Sequence, residues 1–163
     1  MDIDYKRFSE QITADEERDL LDKIERLPWL DDLSRKVQHY GWKYDYKTRK
    51  VIKLDDPIPD FLLELKSKFY PSADQIIINK YLPGQGISRH RDASVFHDLI
   101  MTLSLGSGAM FNVENEEIYL NPRDLFVMKK PVYHELKQRR SDVLDGVVIP
   151  RTTRISVTFR RVR

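Results

Sequence analysis

The sequence predicts a mostly β fold of the α+β class, in which N-terminal helices pack against a double-stranded β-helix, also called a jelly roll. From Gln75 onward, short runs rich in β-branched and aromatic residues alternate with turn signals. Six or more short strands at this spacing are typical of a sandwich or small barrel. Before Gln75, apolar residues recur at helical spacing instead. The length of 163 residues fits a single domain, residues 1–163.

Two helices are expected in the N-terminal part. Thr13 and Glu16 have the spacing of a capping box, which predicts a helix over residues 14–27. A second helix is expected at about residues 59–70. The apolar residues at helical spacing are Leu20, Leu21, Ile24 and Leu27 in the first segment and Phe61, Leu62, Leu65 and Phe69 in the second.

The composition excludes several classes of protein. The chain has no cysteine, which rules out disulfides, thiolate zinc sites and a cysteine nucleophile. Its first residues, MDIDYKRFSEQ, are polar and acidic, so we expect no secretion signal. No apolar run reaches the length that spans a membrane. We therefore expect a monomer in the cytoplasm or nucleus, with no membrane contact.

Charge is distributed unevenly along the chain. Residues 129–163 hold ten Lys/Arg and three acids, a net charge of +7, so the rest carries −5 if the total is +2. This asymmetry favours a polyanionic partner such as nucleic acid. It is equally compatible with arginines that bind a small anionic ligand while the other cations face water.

His90 and Asp92 are the first candidates for chemistry. On a strand, residues two apart face the same way, so an imidazole and a carboxylate here can bind one metal ion. His134 lies in a strand-like run 42 residues later and is the candidate third ligand. Two histidines and a carboxylate suit non-haem iron(II). Histidine more often makes ordinary hydrogen bonds, so the motif alone is weak evidence.

The last strand strengthens the case for a site. In residues 154–160, polar and apolar residues alternate strictly, with Arg154 and Arg160 on the polar face. That face either meets water or lines a cavity. If it lines a cavity, the two guanidinium groups suit a dicarboxylate ligand, because guanidinium binds carboxylate as a fork. Asn79 and Tyr81 share one face of an earlier strand and could add hydrogen bonds to the same ligand.

Four aromatic residues alternate along one predicted strand and would share one of its faces. They are Tyr40, Trp42, Tyr44 and Tyr46. Core packing is the default explanation for such a stripe. The alternative is a platform on which a flipped or single-stranded base stacks.

An ordered set of motifs resembles the AlkB family of iron(II)/2-oxoglutarate dioxygenases. The set covers residues 75–163 and is most similar to members that hydroxylate modified wobble uridine in tRNA. The segment RKVQHYGWKYDY, residues 35–46, resembles the family's substrate lid. The motifs are Asn79-x-Tyr81, PGQGI, His90-x-Asp92, LSLG, DLFVM, His134 and Arg154 followed by Thr158-Phe159-Arg160.

This resemblance implies roles for individual residues. His90, Asp92 and His134 correspond to the iron ligands and catalytic centre. Arg154 corresponds to the partner of the distal carboxylate of 2-oxoglutarate, and Arg160 to a second arginine near its other end. Asn79 and Tyr81 correspond to residues that hydrogen-bond this co-substrate. The implied cofactors are Fe(II), 2-oxoglutarate and O2. Residues 1–74 would supply the helices and lid, and residues 75–163 the catalytic core.

The implied substrate is a modified or alkylated base in single-stranded DNA or RNA, tRNA included, and the implied reaction is oxidative demethylation. We expect substrate contacts from Trp42, Tyr44, Ser94, Lys129 and Arg139. Ser94 replaces an acid found in bacterial base-demethylating members, which weakens the case for alkyl-base repair. The alternatives are hydroxylation of modified wobble uridine in tRNA, hydroxylation of a protein or small molecule, and a non-catalytic RNA-binding module.

Overall fold

The computed structural model of the chain describes residues 4–31 and 33–163. Residues 1–3 and 32, part of the predicted N-terminal segment, lie outside the described residues. The elements are β1 (Tyr5–Phe8), α1 (Ala14–Glu25), β2 (Lys36–Tyr40), β3 (Trp42–Asp45), β4 (Lys50–Lys53), α2 (Asp60–Phe69), β5 (Gln75–Tyr81), β6 (Ile87–His90), β7 (Ile100–Gly106), β8 (Ala109–Val113), β9 (Glu116–Leu120), β10 (Leu125–Met128), β11 (His134–Leu136), β12 (Ser141–Leu144), β13 (Val147–Pro150) and β14 (Arg154–Arg160).

The strands form two main antiparallel sheets. The larger sheet has the order β1-β10-β7-β14-β5-β2, and the smaller sheet has the order β6-β11-β8-β9. Two further pairs, β3–β4 and β12–β13, are hairpins. In the larger sheet, all neighbouring strands are separated in sequence by at least one other strand; β14, for example, pairs with both β5 and β7. The mostly β, antiparallel class predicted from the sequence is confirmed.

The two helices cover one face of the six-stranded sheet. Helix α1 begins at the predicted capping box, in which Thr13 and Glu16 each accept a hydrogen bond from the other's backbone N–H. Its apolar stripe and that of α2 pack against alternate residues of the central strands. The fully buried members of this core include Ile24, Leu62, Ile76, Ile78, Leu103, Leu105, Val157 and Phe159.

The opposite face of the six-stranded sheet meets the four-stranded sheet. A second apolar cluster lies between the two sheets and contains Ile100, Val113, Leu120, Phe126 and Met128. This cluster fills one part of the space between the sheets. The rest of that space is the cavity described below.

Alternation along β14 determines what faces this cavity. Ile155, Val157 and Phe159 belong to the core under the helices, whereas the alternating polar residues line the cavity. Those polar residues are Arg154, Ser156, Thr158 and Arg160. Of the two explanations for this strand, the polar face that lines a cavity is therefore correct.

The aromatic run at residues 40–46 is not one strand, and that expectation was wrong. Gly41 has a φ of +79°, which ends β2 and starts β3 in a different sheet. A Cβ at Gly41 would lie 2.0 Å from the carbonyl oxygen of Asp74, so the chain also approaches its neighbour too closely for a side chain. Tyr40 consequently packs against the helix-side core, while Tyr44 lies on the cavity side.

Within residues 4–31 and 33–163, neither helix has both the length and the apolarity needed to cross a membrane.

Candidate metal and co-substrate site

Two paired strands bring the metal-ligand candidates together. His90 ends β6, His134 begins β11, and the two are direct partners in the antiparallel register. Asp92 follows β6 by two residues. One potential ligand atom from each residue lies within 4.8 Å of the others. The set brings together residues 42 positions apart in the sequence because β6 and β11 are neighbours in the smaller sheet.

Backbone hydrogen bonds orient both imidazole rings. Nδ1 of His90 lies 2.8 Å from the carbonyl oxygen of Ser88, and Nδ1 of His134 lies 2.9 Å from that of Val132. A carbonyl oxygen can only accept, so each Nδ1 carries the hydrogen and each Nε2 keeps its lone pair for a metal. Burial, together with the nearby His134, lowers the pKa of His90. The neutral, metal-binding form is thereby favoured.

Asp92 is held by an arginine. The Arg160 guanidinium donates to Oδ2 of Asp92 at 2.9 Å, while Oδ1 lies 3.4 Å from Nε2 of His134. Burial acts to raise the pKa of Asp92, but Arg160, His134 and His90 outweigh it and hold the pKa below its usual range. Nε of Arg160 donates to Oε1 of Gln75 at 2.7 Å, and the guanidinium carbon lies 3.9 Å from the Phe96 ring centroid. Asp92 is therefore an oriented carboxylate whose Oδ1 faces the histidines.

Arg154 is a buried cation with no anionic partner among residues 4–31 and 33–163. Its side chain donates to Oγ of Ser104 at 2.9 Å, and its Nε has no hydrogen-bond partner in that part of the chain. The guanidinium carbon lies 5.7 Å from the ring centroids of Tyr81 and Phe111. Burial lowers the pKa of Arg154. A buried charge without a partner is costly, so this arrangement suits a carboxylate ligand.

A third arginine, Arg35, lies directly before β2 and reaches the same cavity. Its Nε donates to Oδ1 of Asn79 at 3.0 Å, and its guanidinium lies near the rings of Tyr46 and Tyr81, at 5.4 Å and 5.9 Å. Asn79 and Tyr81 are buried on the cavity side of β5. Burial also raises the pKa of Tyr81, so the phenol stays neutral and can donate a hydrogen bond.

All of these groups border one cavity of about 410 Å³. This volume lies within the usual range for small-molecule sites. The cavity contains the three metal-ligand candidates, both arginines of β14, and the Asn79–Tyr81 pair. A metal-binding set beside an unpaired buried arginine fits Fe(II) together with a dicarboxylate such as 2-oxoglutarate.

The predicted substrate residues are more scattered. Tyr44 lines the cavity, 5.7 Å from Phe96, and its ring makes an edge contact with Tyr46 at 4.9 Å. Trp42 is half-buried on the same strand and is not one of the described residues that line the cavity. Ser94 is exposed, and its carbonyl accepts from Nε of Arg163 at 3.0 Å. Substrate contacts by these residues stay predictions.

The two predicted basic contacts lie apart from the metal-ligand candidates. Lys129 borders a second, shallower depression together with Arg161 and Arg163. Arg139 lies beside the β12–β13 hairpin, where its Nε is 3.5 Å from the Asp142 carboxylate. Their contact with phosphate also stays a prediction.

Two residues of the site, Arg35 and Gln75, were not found from the sequence. Arg35 lies in the segment assigned to the lid, where Tyr46 was named in the aromatic stripe but only Trp42 and Tyr44 were selected as substrate contacts. Gln75 was treated only as a strand end, although its side chain accepts from Arg160 and donates to the carbonyl of Trp42 at 3.3 Å. Alternation along β5 could have identified Gln75, because this residue shares the face of the strand that carries Asn79 and Tyr81.

A two-histidine, one-carboxylate set between the sheets of an antiparallel double-sheet fold defines a class of non-haem iron oxygenase. Comparison with known sequences identifies the superfamily within this class. The family model described as the 2OG-Fe(II) oxygenase superfamily matches residues 15–160. The chain belongs to that superfamily, and within it is similar to AlkB-family proteins. It is a dioxygenase, and its class uses Fe(II), 2-oxoglutarate and O2.

The chain is also similar to individual proteins over nearly its whole length. Uncharacterized protein L905 of Acanthamoeba polyphaga mimivirus is 33% identical over 97% of this chain and 84% of its own length. The mouse (Mus musculus) protein named tRNA (carboxymethyluridine(34)-5-O)-methyltransferase ALKBH8 is 30% identical over 94% of this chain, which spans 30% of that protein. The solved structure of OsALKBH1 superposes with a TM-score of 0.70 at 15% identity, covering 99% of this chain and 98% of that one. This likeness confirms the jelly-roll fold.

Proposed function

We propose that this chain oxidises modified or alkylated bases in single-stranded DNA or RNA, by oxidative demethylation. The observation that carries the proposal is the charge of the cavity. Among residues 4–31 and 33–163, five arginines and one carboxylate, Asp92, border it. With histidine counted as neutral, these described groups carry five positive charges and one negative charge, a net of +4. The five are Arg35, Arg49, Arg91, Arg154 and Arg160.

This surplus is expected to persist when the cofactors bind. Fe(II) adds two positive charges and the 2-oxoglutarate dianion adds two negative charges, so their contributions cancel. A cavity that still has a net charge of +4 attracts an anionic substrate. Nucleic acid supplies phosphate at every nucleotide, whereas a neutral peptide or sugar would gain nothing from this field.

Some residues of the cavity would bind Fe(II), and others would orient these ligands. His90, Asp92 and His134 would hold Fe(II), with both histidines fixed as Nε2 ligands by their backbone hydrogen bonds. Arg160 would keep Asp92 ionised and aimed at the metal. When bound, Fe(II), 2-oxoglutarate and O2 together supply insertion of one oxygen atom into a C–H bond of the substrate, with succinate and carbon dioxide as co-products.

Binding of 2-oxoglutarate would use the remaining polar groups. Arg154 and Ser104 would receive the distal carboxylate, which would give the unpaired Nε of Arg154 its missing acceptor. Asn79 and Tyr81 lie on the neighbouring strand, in register with Ser156 and Arg154. They would donate hydrogen bonds to the same co-substrate. Tyr44 and Tyr46 would receive the base through stacking contacts.

Hydroxylation of a modified wobble uridine in tRNA is the second candidate. The observation that favours it is the similarity to mouse ALKBH8, whose name refers to carboxymethyluridine 34 of tRNA. This chain spans only 30% of that protein, so the methyl transfer in its name is not carried over. Ser94, in place of an acidic residue, agrees with a substrate other than a classical alkylated base.

Product analysis separates the two reactions. The protein is supplied with Fe(II) and 2-oxoglutarate and given N-methylated single-stranded DNA or RNA, unmodified strands of the same sequence, or a tRNA pool. Demethylation predicts succinate and formaldehyde in equal amounts with the methylated strands, because an N-hydroxymethyl product releases formaldehyde. Wobble hydroxylation predicts succinate and a stable gain of one oxygen in tRNA.

The unmodified strands are the matched control. They should raise succinate release no further than the rate without substrate. If no nucleic acid raises succinate release above that rate, the proposed function is wrong and a protein or small-molecule substrate takes its place.

A further inference from the structure

A cluster of two arginines around one tyrosine lies beside the metal-ligand candidates, and none of the binding and orienting roles above involves it, although one of its arginines, Arg91, contributes to the charge of the cavity. Arg89 and Arg91 flank His90 in the sequence, and Tyr133 precedes His134. The guanidinium carbons of Arg89 and Arg91 lie 4.8 Å and 4.7 Å from the centroid of the Tyr133 ring. We call these three residues the Arg–Tyr–Arg cluster. It forms because β6 and β11 pair at His90 and His134, which brings the flanking residues together.

The cluster is exposed and rich in uncompensated positive charge. Both arginines are exposed, and Tyr133 is one of the exposed large apolar residues at 38%. Across residues 4–31 and 33–163, neither arginine forms an ion pair with a carboxylate. The side chain of Arg89 donates to the carbonyl oxygen of Glu114 at 3.2 Å. The carboxylate of Glu114 accepts from the backbone N–H of Tyr133 at 3.1 Å.

The geometry suits a tetrahedral oxyanion. The two guanidinium carbons can be at most 9.5 Å apart, because 4.8 Å and 4.7 Å are their distances from one centroid. Both cations lie within cation–π distance of the same ring, and this attraction offsets part of the repulsion between their like charges. An anion within reach of both guanidinium groups would accept hydrogen bonds from each. One guanidinium group can donate two parallel hydrogen bonds to two oxygens of a phosphate, which is why arginine is common at phosphate-binding sites.

The cluster lies at the rim of the cavity, so a ligand bound to it would lie next to the cavity opening. Arg91 borders the cavity as well as the tyrosine ring, whereas Arg89 lies outside the cavity lining. The cluster therefore extends from the cavity rim outward over the outer surface of the smaller sheet. A strand whose base enters the cavity must leave its sugar–phosphate chain at the rim.

We propose that the Arg–Tyr–Arg cluster binds a backbone phosphate of the nucleic-acid strand, next to the nucleotide whose base enters the cavity. This inference rests on the proposed function, since it assumes a nucleic-acid substrate. The cluster would be the part of the protein that fixes the nucleic-acid strand relative to the metal. Because each member is adjacent in sequence to a metal-ligand candidate, the phosphate and the oxidised base are held at a constant separation.

The test measures binding of a fluorescent single-stranded RNA of mixed sequence to the full chain at several salt concentrations. Each lost phosphate contact should lower the slope of log affinity against log salt by about 0.7. Arg89→Ala and Arg91→Ala should each bind more weakly with a reduced slope, and the double variant, which loses the one proposed phosphate contact, should lose about 0.7. Lysine at both positions keeps the charges and should keep most of the slope.

Two control variants distinguish the loss of phosphate binding at the cluster from the loss of a charge elsewhere and from the loss of the tyrosine hydroxyl. Arg26→Ala removes the same charge from an exposed site on the far side of the six-stranded sheet, and should change neither affinity nor slope. Tyr133→Phe keeps the ring and should bind like the wild type, whereas Tyr133→Leu should bind more weakly. Unfolding midpoints equal to that of the wild type would show that the variants fold.

Several results would overturn the inference. If the double variant binds RNA with the affinity and slope of Arg26→Ala, the cluster holds no phosphate. If a polyglutamate peptide of equal charge competes as well as RNA, the surface serves an acidic peptide. The proposed function fails separately, when no nucleic acid stimulates succinate release. If the wild type oxidises the strand and the double variant shows an unchanged KM for it, only the cluster assignment is wrong.

Discussion

At the scale of single residues, Arg154 is a buried charge of the kind that suits a carboxylate ligand. Its guanidinium is buried, hydrogen-bonded to Ser104, and lacks an anionic partner among the described residues. Such a group destabilises the ligand-free protein. It becomes favourable once a carboxylate pairs with it.

Replacing Arg154 should separate stability from binding. Arg154→Met should raise the KM for 2-oxoglutarate by about 10-fold or more, since a hydrogen bond to a charged group contributes about 1.5–3 kcal/mol. Without ligand, the same variant should unfold at the wild-type temperature or above it, because an unpaired buried charge is gone. Kinetics of succinate release and thermal unfolding are the measurements.

An arginine with a purely structural role would give the reverse pattern. Arg154→Met would then lose stability and keep its KM for 2-oxoglutarate. Arg26→Ala, at the exposed residue that follows α1, serves as the control and should leave both quantities unchanged.

At the scale of elements, the close approach of β6 and β11 creates the metal-ligand set. Gly86 lies just before β6, and a Cβ there would lie 2.0 Å from the carbonyl oxygen of Leu136. No side chain fits in that space without moving one of the strands. His90 and His134, which are on these two strands, depend on that approach.

Gly86→Ala should therefore weaken metal binding without removing a ligand. We expect a loss of about 1–3 kcal/mol in unfolding free energy, as for other overpacking changes. Iron affinity should fall by about 10-fold or more, because changes outside the ligands affect affinity on that scale. Denaturant unfolding and iron titration measure the two effects.

Gly146→Ala is the matched control. Gly146 lies in the turn of the β12–β13 hairpin, and a Cβ there would contact nothing within 4 Å. Unlike Gly86, it has a positive φ, +79°. This variant should lose about 1–2 kcal/mol of stability through its backbone alone and keep its iron affinity. Equal losses of iron affinity in the two variants would contradict the role given to the β6–β11 approach.

Sequence periodicity predicted some elements well and others poorly. Strict alternation in β14 placed Arg154 and Arg160 on one face, because a strand keeps period two as long as its backbone is regular. The same rule failed at residues 40–46, where Gly41 turns the chain between sheets. Periodicity carries no information on where a single glycine redirects the backbone.

At the scale of the whole molecule, the site depends on pairings that the sequence does not encode locally. His90 and His134 were recognised by residue type and by resemblance, but their direct pairing follows from strand order in the smaller sheet. The hydrogen bonds from Arg160 to Asp92 and Gln75 likewise join residues 68 and 85 positions apart. Such long-range partners explain why Gln75 was missed and why the charge of the cavity became visible only in the folded chain.

The central claim is that His90, Asp92 and His134 hold one Fe(II) ion. Anaerobic titration of the protein with Fe(II), with bound iron counted per chain, tests it most directly. We predict one equivalent for the wild type and for His97→Ala, whose histidine lies outside the cavity, and a loss of that equivalent in His134→Ala. Retention of the full equivalent in His134→Ala, or its absence from the wild type, would contradict the claim.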